Sequence, residues 1–231
     1  MKCKQLALRV LSTAAVLTIV SSVAAPAFAE AAGIAVYGMY YVDKGSITVN
    51  GDSVHYVDET GEHDVEHDDD IIITGTTNKN TVTIRSDEGQ NTKVTLDNVN
   101  INVSDTGSMR KDNGSEVDVP GKAAMSVTGS GDTTINLKGD NTLSGGKGRA
   151  GLEKNDSEST GKMTITAEDT DQKLTVNGGT RAAGIGGREE EGSSNIIISG
   201  GKITANGNNT GAGIGGGRRF EGGGGITGGG V

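Results

Sequence analysis

The chain has 231 residues, of which 39 are Gly, 2 are Pro and none is Trp, and its formal net charge is -9. This acidic balance argues against nucleic-acid binding, because phosphate contacts need basic side chains, and against adhesion to anionic lipid. Aromatic residues make up 3%, which excludes a core of bulky rings, while alternating runs of Val, Ile, Leu and Thr exclude a disordered glycine linker.

Residues 1–29 have the features of a secretory signal peptide. Three basic residues precede the apolar run LSTAAVLTIV, and small residues at Ala27 and Ala29 mark a cleavage site. The apolar run is too short for a membrane span, and no later run approaches the roughly 20 residues that a spanning helix needs. The sequence therefore predicts a bacterial protein exported by the Sec route, secreted or held at the cell surface, with no membrane span.

Residues 30–70 are predicted to form an N-terminal strand or cap region with an acidic loop. The segment HDVEH, from His63 to His67, matches the H-x-x-E-H pattern of inverted zinc peptidases, which requires both His side chains on one helical face. The surrounding stretch ETGEHDVEHDDD has Val65 as its only apolar residue, so it offers no amphipathic helix to bury a zinc site. We interpret the stretch as a solvated acidic loop, in which the two histidines are better suited to adventitious metal binding than to catalysis.

The acidic end of this loop is the candidate metal site. Oxygen ligands in a flexible loop are the type that Ca²⁺ prefers, which makes calcium the candidate cofactor. A charge run is also commonly just solvated, and here it can keep the end of the fold from pairing with another chain. The four candidate ligands are Glu66, Asp68, Asp69 and Asp70.

An internal repeat organises the rest of the chain. KLTVNGGTRAAGIGG, from Lys173, aligns with KITANGNNTGAGIGG, from Lys202, 29 residues further on, and a fainter copy covers residues 133–153. Each copy combines short alternating runs with turn dipeptides. Three short strands in each repeat of about 29–33 residues predict an all-β fold, a right-handed parallel β-helix (a solenoid) over residues 71–231 with an incomplete last coil.

Two series of aliphatic residues are expected to stack inside the coils, with one member from each repeat. Alternation along a strand sends one face inward and the other, rich in Thr, Asn and Lys, toward solvent. Neighbouring coils would then lie about 4.8 Å apart. The first series is Leu143, Leu174 and Ile203, and the second is Leu152, Ile185 and Ile214.

The segment GAGIGGG, Gly211 to Gly217, matches the dinucleotide-binding pattern G-x-G-x-x-G. That pattern needs a helix after it, whereas RRFEGGGG follows, and the near copy AAGIGG stands one repeat earlier, at residues 182–187. A phosphate cradle is not expected to recur at the period of the fold. We therefore interpret these glycines as tight corners and points of close backbone approach.

The run GGKITANGNNTGAGIGGG, at residues 200–217, resembles repeats of exported, Gly-rich surface proteins of Gram-positive anaerobes. Upstream, DDIIITGTTNKNTVTI (69–84), KVTLDNVNI (93–101) and INLKGDNTLSGG (135–146) resemble the leading coils of the same proteins. The resemblance covers about residues 69–231. Such proteins are often labelled carbohydrate-binding domain-containing, and the related structural class is the pectate-lyase-like right-handed β-helix. The resemblance implies this fold but carries no catalytic set, and a fold alone does not define a ligand.

Basic residues follow the AGIGG segments in equivalent loops, beside glutamates. The candidate ligand-binding residues are Arg188, Arg218 and Arg219, which predict either a shallow polar site or a solvated loop with surface ion pairs. The repeats lack the aromatic platforms that usually bind sugars, so a glycan would have to contact ladders of Asn, Asp and Thr. No Ser-His-Asp or Cys-His arrangement is supported, since every His precedes the repeats and the only Cys, Cys3, lies in the predicted signal peptide.

These features predict an exported, non-enzymatic solenoid without catalytic residues, whose partner is an extracellular glycan or another cell-surface component. One alternative is a structural spacer or stalk of a larger surface protein. A polysaccharide lyase or hydrolase is the less favoured alternative, because no pair of groups is placed to act as acid and base.

Overall fold

A computed structural model describes residues 38–68 and 70–218, and every regular element among them is a β-strand. The predicted signal peptide, Asp69, and Arg219 with the residues after it lie outside the described part of the chain. Branched residues in alternation, with frequent Asn and Gly between them, favour strands and turns over helices. The strands are β1 (Met39–Tyr41), β2 (Ile47–Asn50), β3 (Ser53–Asp58), β4 (Gly61–Val65), β5 (Ile72–Thr77), β6 (Val82–Arg85), β7 (Asn91–Asn102), β8 (Ser108–Asp112), β9 (Ser115–Val119), β10 (Met125–Thr128), β11 (Asp132–Lys138), β12 (Asp140–Ser144), β13 (Leu152–Glu153), β14 (Met163–Ala167), β15 (Lys173–Asn177), β16 (Ile185–Gly186), β17 (Ile196–Ile198), β18 (Lys202–Asn206) and β19 (Ile214–Gly215).

Two large sheets contain most of the strands, and nearly all of their pairs are parallel. The nine-stranded sheet has the order β17-β14-β11-β7-β12-β15-β18, with β5 beside β7 and β1 beside β5. The eight-stranded sheet has the order β19-β16-β13-β10-β6-β2-β3-β4. From β10 the chain passes to β11, then to β12, and returns to the eight-stranded sheet at β13, and this cycle repeats as far as β19. The prediction of an all-β fold with parallel strands is confirmed.

A corner divides the nine-stranded sheet into two strand rows. The long strand β7 pairs with β11 before Asn98 and with β12 after it, and Asn98 has a left-handed backbone with φ of 54°. Gly139 joins β11 to β12 with φ of 69°, and a Cβ there would overlap the Asn98 side chain. Asn98 in β7 and Gly139 between β11 and β12 therefore turn the chain at matching positions of neighbouring strands. The first row therefore contains β11, β14 and β17, and the second row contains β12, β15 and β18.

Inward residues of the strand rows pack into one hydrophobic core. The predicted series Leu152, Ile185 and Ile214 is in register across β13, β16 and β19, as expected. Leu152 and Ile185 are fully buried, whereas Ile214 is 36% exposed. Ile214 lies on the last strand of its sheet among the described residues, so only one neighbouring strand covers it.

The other predicted series is wrong at one member. Leu143 faces Val176, whereas Leu174 faces Asn141 on one side and Ile203 on the other. The error is a shift of two residues, which keeps every aliphatic side chain on the inward face. Asn141 is buried where an aliphatic residue was expected, and backbone hydrogen bonds satisfy its side-chain amide.

Two antiparallel additions differ from the predicted arrangement. Strands β2, β3 and β4 form an antiparallel meander at one end of the eight-stranded sheet, so residues 61–65 of the predicted acidic loop form a strand. Backbone pairing with β3 is sufficient to hold this strand although its side chains are polar. Strands β8 and β9 form a separate hairpin, closed by Asn113 and Gly114, which both have the positive φ of a type I′ turn.

Candidate functional site

The second strand row presents a polar surface to solvent. On β12, β15 and β18, inward residues alternate with outward Thr, Ser and Asn. The parallel register places equivalent outward residues side by side from strand to strand. We call this surface the polar face, and it consists of Thr142, Thr175, Asn177, Thr204 and Asn206, together with Ser144, which is buried at 9% exposure.

One line of side chains on the polar face, which runs from Ser144 through Asn177 to Asn206, is joined by hydrogen bonds from strand to strand. Asn206 Nδ2 donates to Asn177 Oδ1 over 2.9 Å, and Asn177 Nδ2 donates to Ser144 Oγ over 3.1 Å. These bonds join residues 29 and 33 positions apart, one repeat in each case. They fix the orientation of the amide groups, and a preordered side chain loses less entropy when a ligand binds.

The other line of side chains on the polar face consists of threonines whose hydroxyls make no hydrogen bond within the described residues. Thr142, Thr175 and Thr204 make no side-chain hydrogen bond within the described part of the chain. Thr204 is exposed, and the other two are half-buried. Each hydroxyl has one donor and two acceptor positions. The polar face thus offers a row of hydrogen-bonding groups repeated about every 4.8 Å, the spacing of neighbouring strands.

Arg188, a candidate ligand-binding residue, lies in a network of ion pairs and hydrogen bonds. Its Nη1 donates to Glu158 Oε1 over 2.6 Å, its Nη2 donates to Glu191 Oε1 over 3.3 Å, and its backbone N–H donates to Asn155 Oδ1 over 2.9 Å. Burial raises the pKa of Glu158, but hydrogen bonds from Asn155 and Arg188 outweigh it and lower that pKa overall. Neighbouring carboxylates therefore already occupy both ends of the guanidinium group.

The centre of this network is buried, which sequence reasoning missed. Asn155 Nδ2 donates to Glu153 Oε1 over 3.0 Å, and Glu153 also accepts from Arg149 Nη1 over 2.8 Å. Beside them, Lys154 is fully buried, its Nζ donates to Ser159 O over 2.9 Å, and burial lowers its pKa. Charged residues are rarely buried, so a polar run in a sequence gives no signal for such a cluster.

Arg218 lies at the edge of the described residues and contributes its backbone to a second network. Its N–H donates to Arg181 O over 2.9 Å. The Arg181 side chain pairs with Glu189 over 2.8 Å and with Asp118 of the β8–β9 hairpin, so it ties that hairpin to the body of the fold. Lys147 and Arg181 together lower the pKa of Asp118. Arg219 lies outside the described residues.

The candidate calcium ligands differ in their surroundings. Glu66 and Asp70 are exposed, whereas Asp68 is buried and accepts hydrogen bonds from Tyr40 Oη (2.6 Å) and Asp70 N (3.0 Å). Among the residues that the structure describes, no group of three or more His, Cys, Asp or Glu side chains is arranged to hold a metal ion. Because Asp69 is not described, calcium at this cluster stays a prediction.

The two histidines of HDVEH bind different carboxylates. His63 lies on β4, stacks on Tyr56 with ring centroids 4.7 Å apart, and has its Nε2 3.0 Å from Asp58 Oδ1. His67 has its Nδ1 2.8 Å from Asp52 Oδ2. A strand in place of a helix separates the two rings, so the arrangement of a zinc peptidase is not formed.

We expect Thr60→Ala to weaken the acid dependence of stability that Asp58 causes. A hydrogen bond from the Thr60 side chain is the largest cause that lowers the pKa of Asp58 to about 2, from an ordinary value of 3.8. A carboxyl with a lowered folded pKa stabilises the fold above its unfolded pKa, and this contribution is lost as the pH falls through the folded pKa. The variant should raise the pKa of Asp58 and flatten the decline in unfolding free energy between pH 3.8 and about 2.

NMR titration of the Asp58 carboxyl and urea denaturation at both pH values measure these two effects. Thr60→Ser keeps the hydroxyl donor and is the matched control. An Asp58 pKa that is the same in Thr60→Ala as in the wild-type chain would contradict the role of this hydrogen bond.

Comparisons with protein-family models, curated proteins and solved structures give no match for this chain. Within residues 38–68 and 70–218, no helix has the length and apolar character needed to cross a membrane. The chemistry of the polar face and of the surrounding networks is therefore the basis for assigning a function.

Proposed function

We propose that this chain is an exported, non-enzymatic protein that binds extracellular glycans through the polar face. In this proposal the first strand row, the second strand row and the eight-stranded sheet are the three sides of a right-handed parallel β-helix with three strands per coil. Its parallel pairs between residues 29 and 33 positions apart and its cycle between rows support that architecture. The signal-peptide pattern of residues 1–29 and the resemblance to Gly-rich bacterial surface proteins support export and a surface location.

The regular spacing of unused hydroxyls on the polar face is the observation that carries the proposal. A polysaccharide repeats the same hydroxyl groups along its length, and the polar face repeats Thr and Asn along the stack of strands. Each hydrogen bond contributes only about 0.5–1.5 kcal/mol. Several such bonds made together by one chain add through multivalency, which suits weak binding of extended polymers.

The Arg188 network supports binding without catalysis. A lyase needs a base and a charge stabiliser that face the substrate, and groups in such sites have pKa values driven apart by their surroundings. Glu158 and Glu191 hold the Arg188 guanidinium, and the pKa of Glu158 is lowered, which keeps this carboxylate charged. This arrangement stabilises the loop and leaves Arg188 in a structural role.

We expect the triple variant Thr142→Val, Thr175→Val and Thr204→Val to bind glycans at least tenfold more weakly than the wild-type chain. Valine keeps the shape and strand preference of threonine, but the variant loses three hydroxyls. A glycan array identifies the ligand, and titration with that ligand gives the change in affinity, where each factor of ten is about 1.4 kcal/mol.

The matched control is Thr95→Val with Thr166→Val, because these outward threonines lie on the first strand row. It should bind as the wild-type chain does. Equal affinity of the triple variant and the wild-type chain would contradict the role of the polar face. A wild-type chain that binds no glycan on the array would contradict the proposed function.

A further inference from the structure

A cleft of about 440 Å³ lies at the start of the first strand row, away from the polar face. It is bounded by the β2–β3 turn, by Asp68 and Ile71 before β5, and by the start of β7 with Gln90 just before it. Its volume is in the range of small-molecule sites, roughly 300–1,000 Å³. The side chains that matter for its chemistry are Asp52, Asp68, Ile71, Gln90, Asn91 and Lys93.

Backbone contacts hold the walls of this cleft in place. Asp68 N donates to Asp52 O over 2.8 Å, which joins two of the three segments. Gly51 has φ of 64°, and a Cβ at this residue would lie 2.9 Å from Gln90 Nε2. The left-handed backbone of Gly51 favours glycine at this turn, which lies against the Gln90 side chain.

Asp68 is the principal acceptor in the cleft. It is 9% exposed, and each of its carboxylate oxygens accepts one hydrogen bond, from Tyr40 Oη and from Asp70 N respectively. An ionised carboxylate has about four lone-pair positions, so both oxygens keep further acceptor capacity. These two bonds orient the carboxylate, and a ligand need not order it.

Three nitrogen donors complement this carboxylate. Gln90 Oε1 accepts from Asp87 N over 2.8 Å, and Asn91 Oδ1 accepts from Thr134 Oγ1 over 3.3 Å. These bonds use the amide oxygens, while the NH₂ groups of both side chains have no partner within the described residues. The Lys93 ammonium likewise makes no ion pair or hydrogen bond within the described residues.

We propose that this cleft binds one pyranose unit of a glycan through a pair of adjacent hydroxyls. A sugar hydroxyl is both a donor and an acceptor, so it can donate to Asp68 and accept from Lys93 or an amide NH₂ group. A ligand with acceptors only would give the buried Asp68 carboxylate no further donor, and a ligand with donors only would not use the three nitrogen groups, which are exposed.

The choice of a sugar rests on the proposed glycan-binding function, but the two proposals can fail separately because the cleft and the polar face lie on different strand rows.

The test is NMR titration of the ¹⁵N-labelled full chain with methyl glycosides of glucose, galactose, mannose and N-acetylglucosamine at millimolar concentrations. We expect saturable shifts of the Gln90 and Asn91 side-chain amides with at least one glycoside. Lys93→Ala should weaken that binding at least tenfold.

The matched control is Lys138→Ala, which removes an outward lysine of the same strand row that pairs with Asp97 over 2.8 Å. This control and the triple Thr→Val variant of the polar face should both keep the shifts at Gln90 and Asn91. The cleft proposal is contradicted if no glycoside gives saturable shifts, if Lys93→Ala binds as tightly as the wild-type chain, or if glycine, a zwitterion, binds more tightly than every glycoside. Glycan-array binding that is lost only in the triple variant leaves the proposed function intact in each of these cases.

Discussion

Replacing Gly179 by Ala is expected to lower the free energy of unfolding by about 3 kcal/mol or more. Gly179 is buried, and a Cβ at this position would overlap the backbone carbonyl of Gly146, one repeat earlier. The obstacle is backbone that is itself held by hydrogen bonds, and no flexible side chain can move aside. The added methyl group must therefore push neighbouring repeats apart, and urea denaturation measures the resulting loss of stability.

The matched control for this substitution is Gly216→Ala. Neither glycine has a left-handed backbone, and the nearest atom to a Cβ on Gly216 is Glu191 O at 3.3 Å. A small shift relieves that contact, and Ala also reduces the entropy of the unfolded chain, so the change should stay within about 1 kcal/mol. Equal stability of the two variants would contradict the close approach of neighbouring repeats at Gly179.

The substitution Asn155→Ala is expected to cost about 2–3 kcal/mol of unfolding free energy. The Asn155 side chain is 1% exposed, donates to Glu153 and Glu158, and accepts the backbone N–H of Arg188. Removing it leaves the buried Glu153 carboxylate and a backbone donor short of partners. A buried charged group that lacks hydrogen-bond partners costs more free energy than the same hydrogen bonds contribute to the stability of the wild-type chain.

Asn206→Ala is the matched control for Asn155→Ala. Asn206 is exposed, its side chain makes one hydrogen bond along the polar face, and its loss should change the unfolding free energy by no more than about 0.5 kcal/mol. Urea denaturation of both variants gives the comparison. A loss at Asn155 as small as that at Asn206 would mean that the buried network contributes little to stability.

The repeat predicted the parallel pairing and one of the two inward series, but it left one register uncertain. The AGIGG segments align without gaps, so Ile185 and Ile214 were placed correctly. Leu143 was placed two residues out of register because a shift of two residues along a strand keeps side chains on the same face. Hydrophobic alternation therefore cannot distinguish the two registers.

Antiparallel elements and buried charges were harder to predict for different reasons. Residues 61–65 pair through their backbone, and their polar side chains show no alternation that would indicate a strand. The dipeptide Asn113-Gly114 is a known hairpin signal that could have located β8 and β9. The Asn155 network and the cleft at Asp68 combine residues distant in sequence, so they become visible only once the pairing is known.

A parallel assay of retention and turnover on polysaccharides tests glycan binding without catalysis most directly. The purified protein is applied to immobilised polygalacturonate and other plant and host glycans, with and without Ca²⁺, and the eluate is analysed for unsaturated products and new reducing ends. We expect retention on at least one glycan, weakened by the triple Thr→Val variant, with no release of products. Retention on none of them, or product release that disappears in Arg188→Ala, would contradict this function.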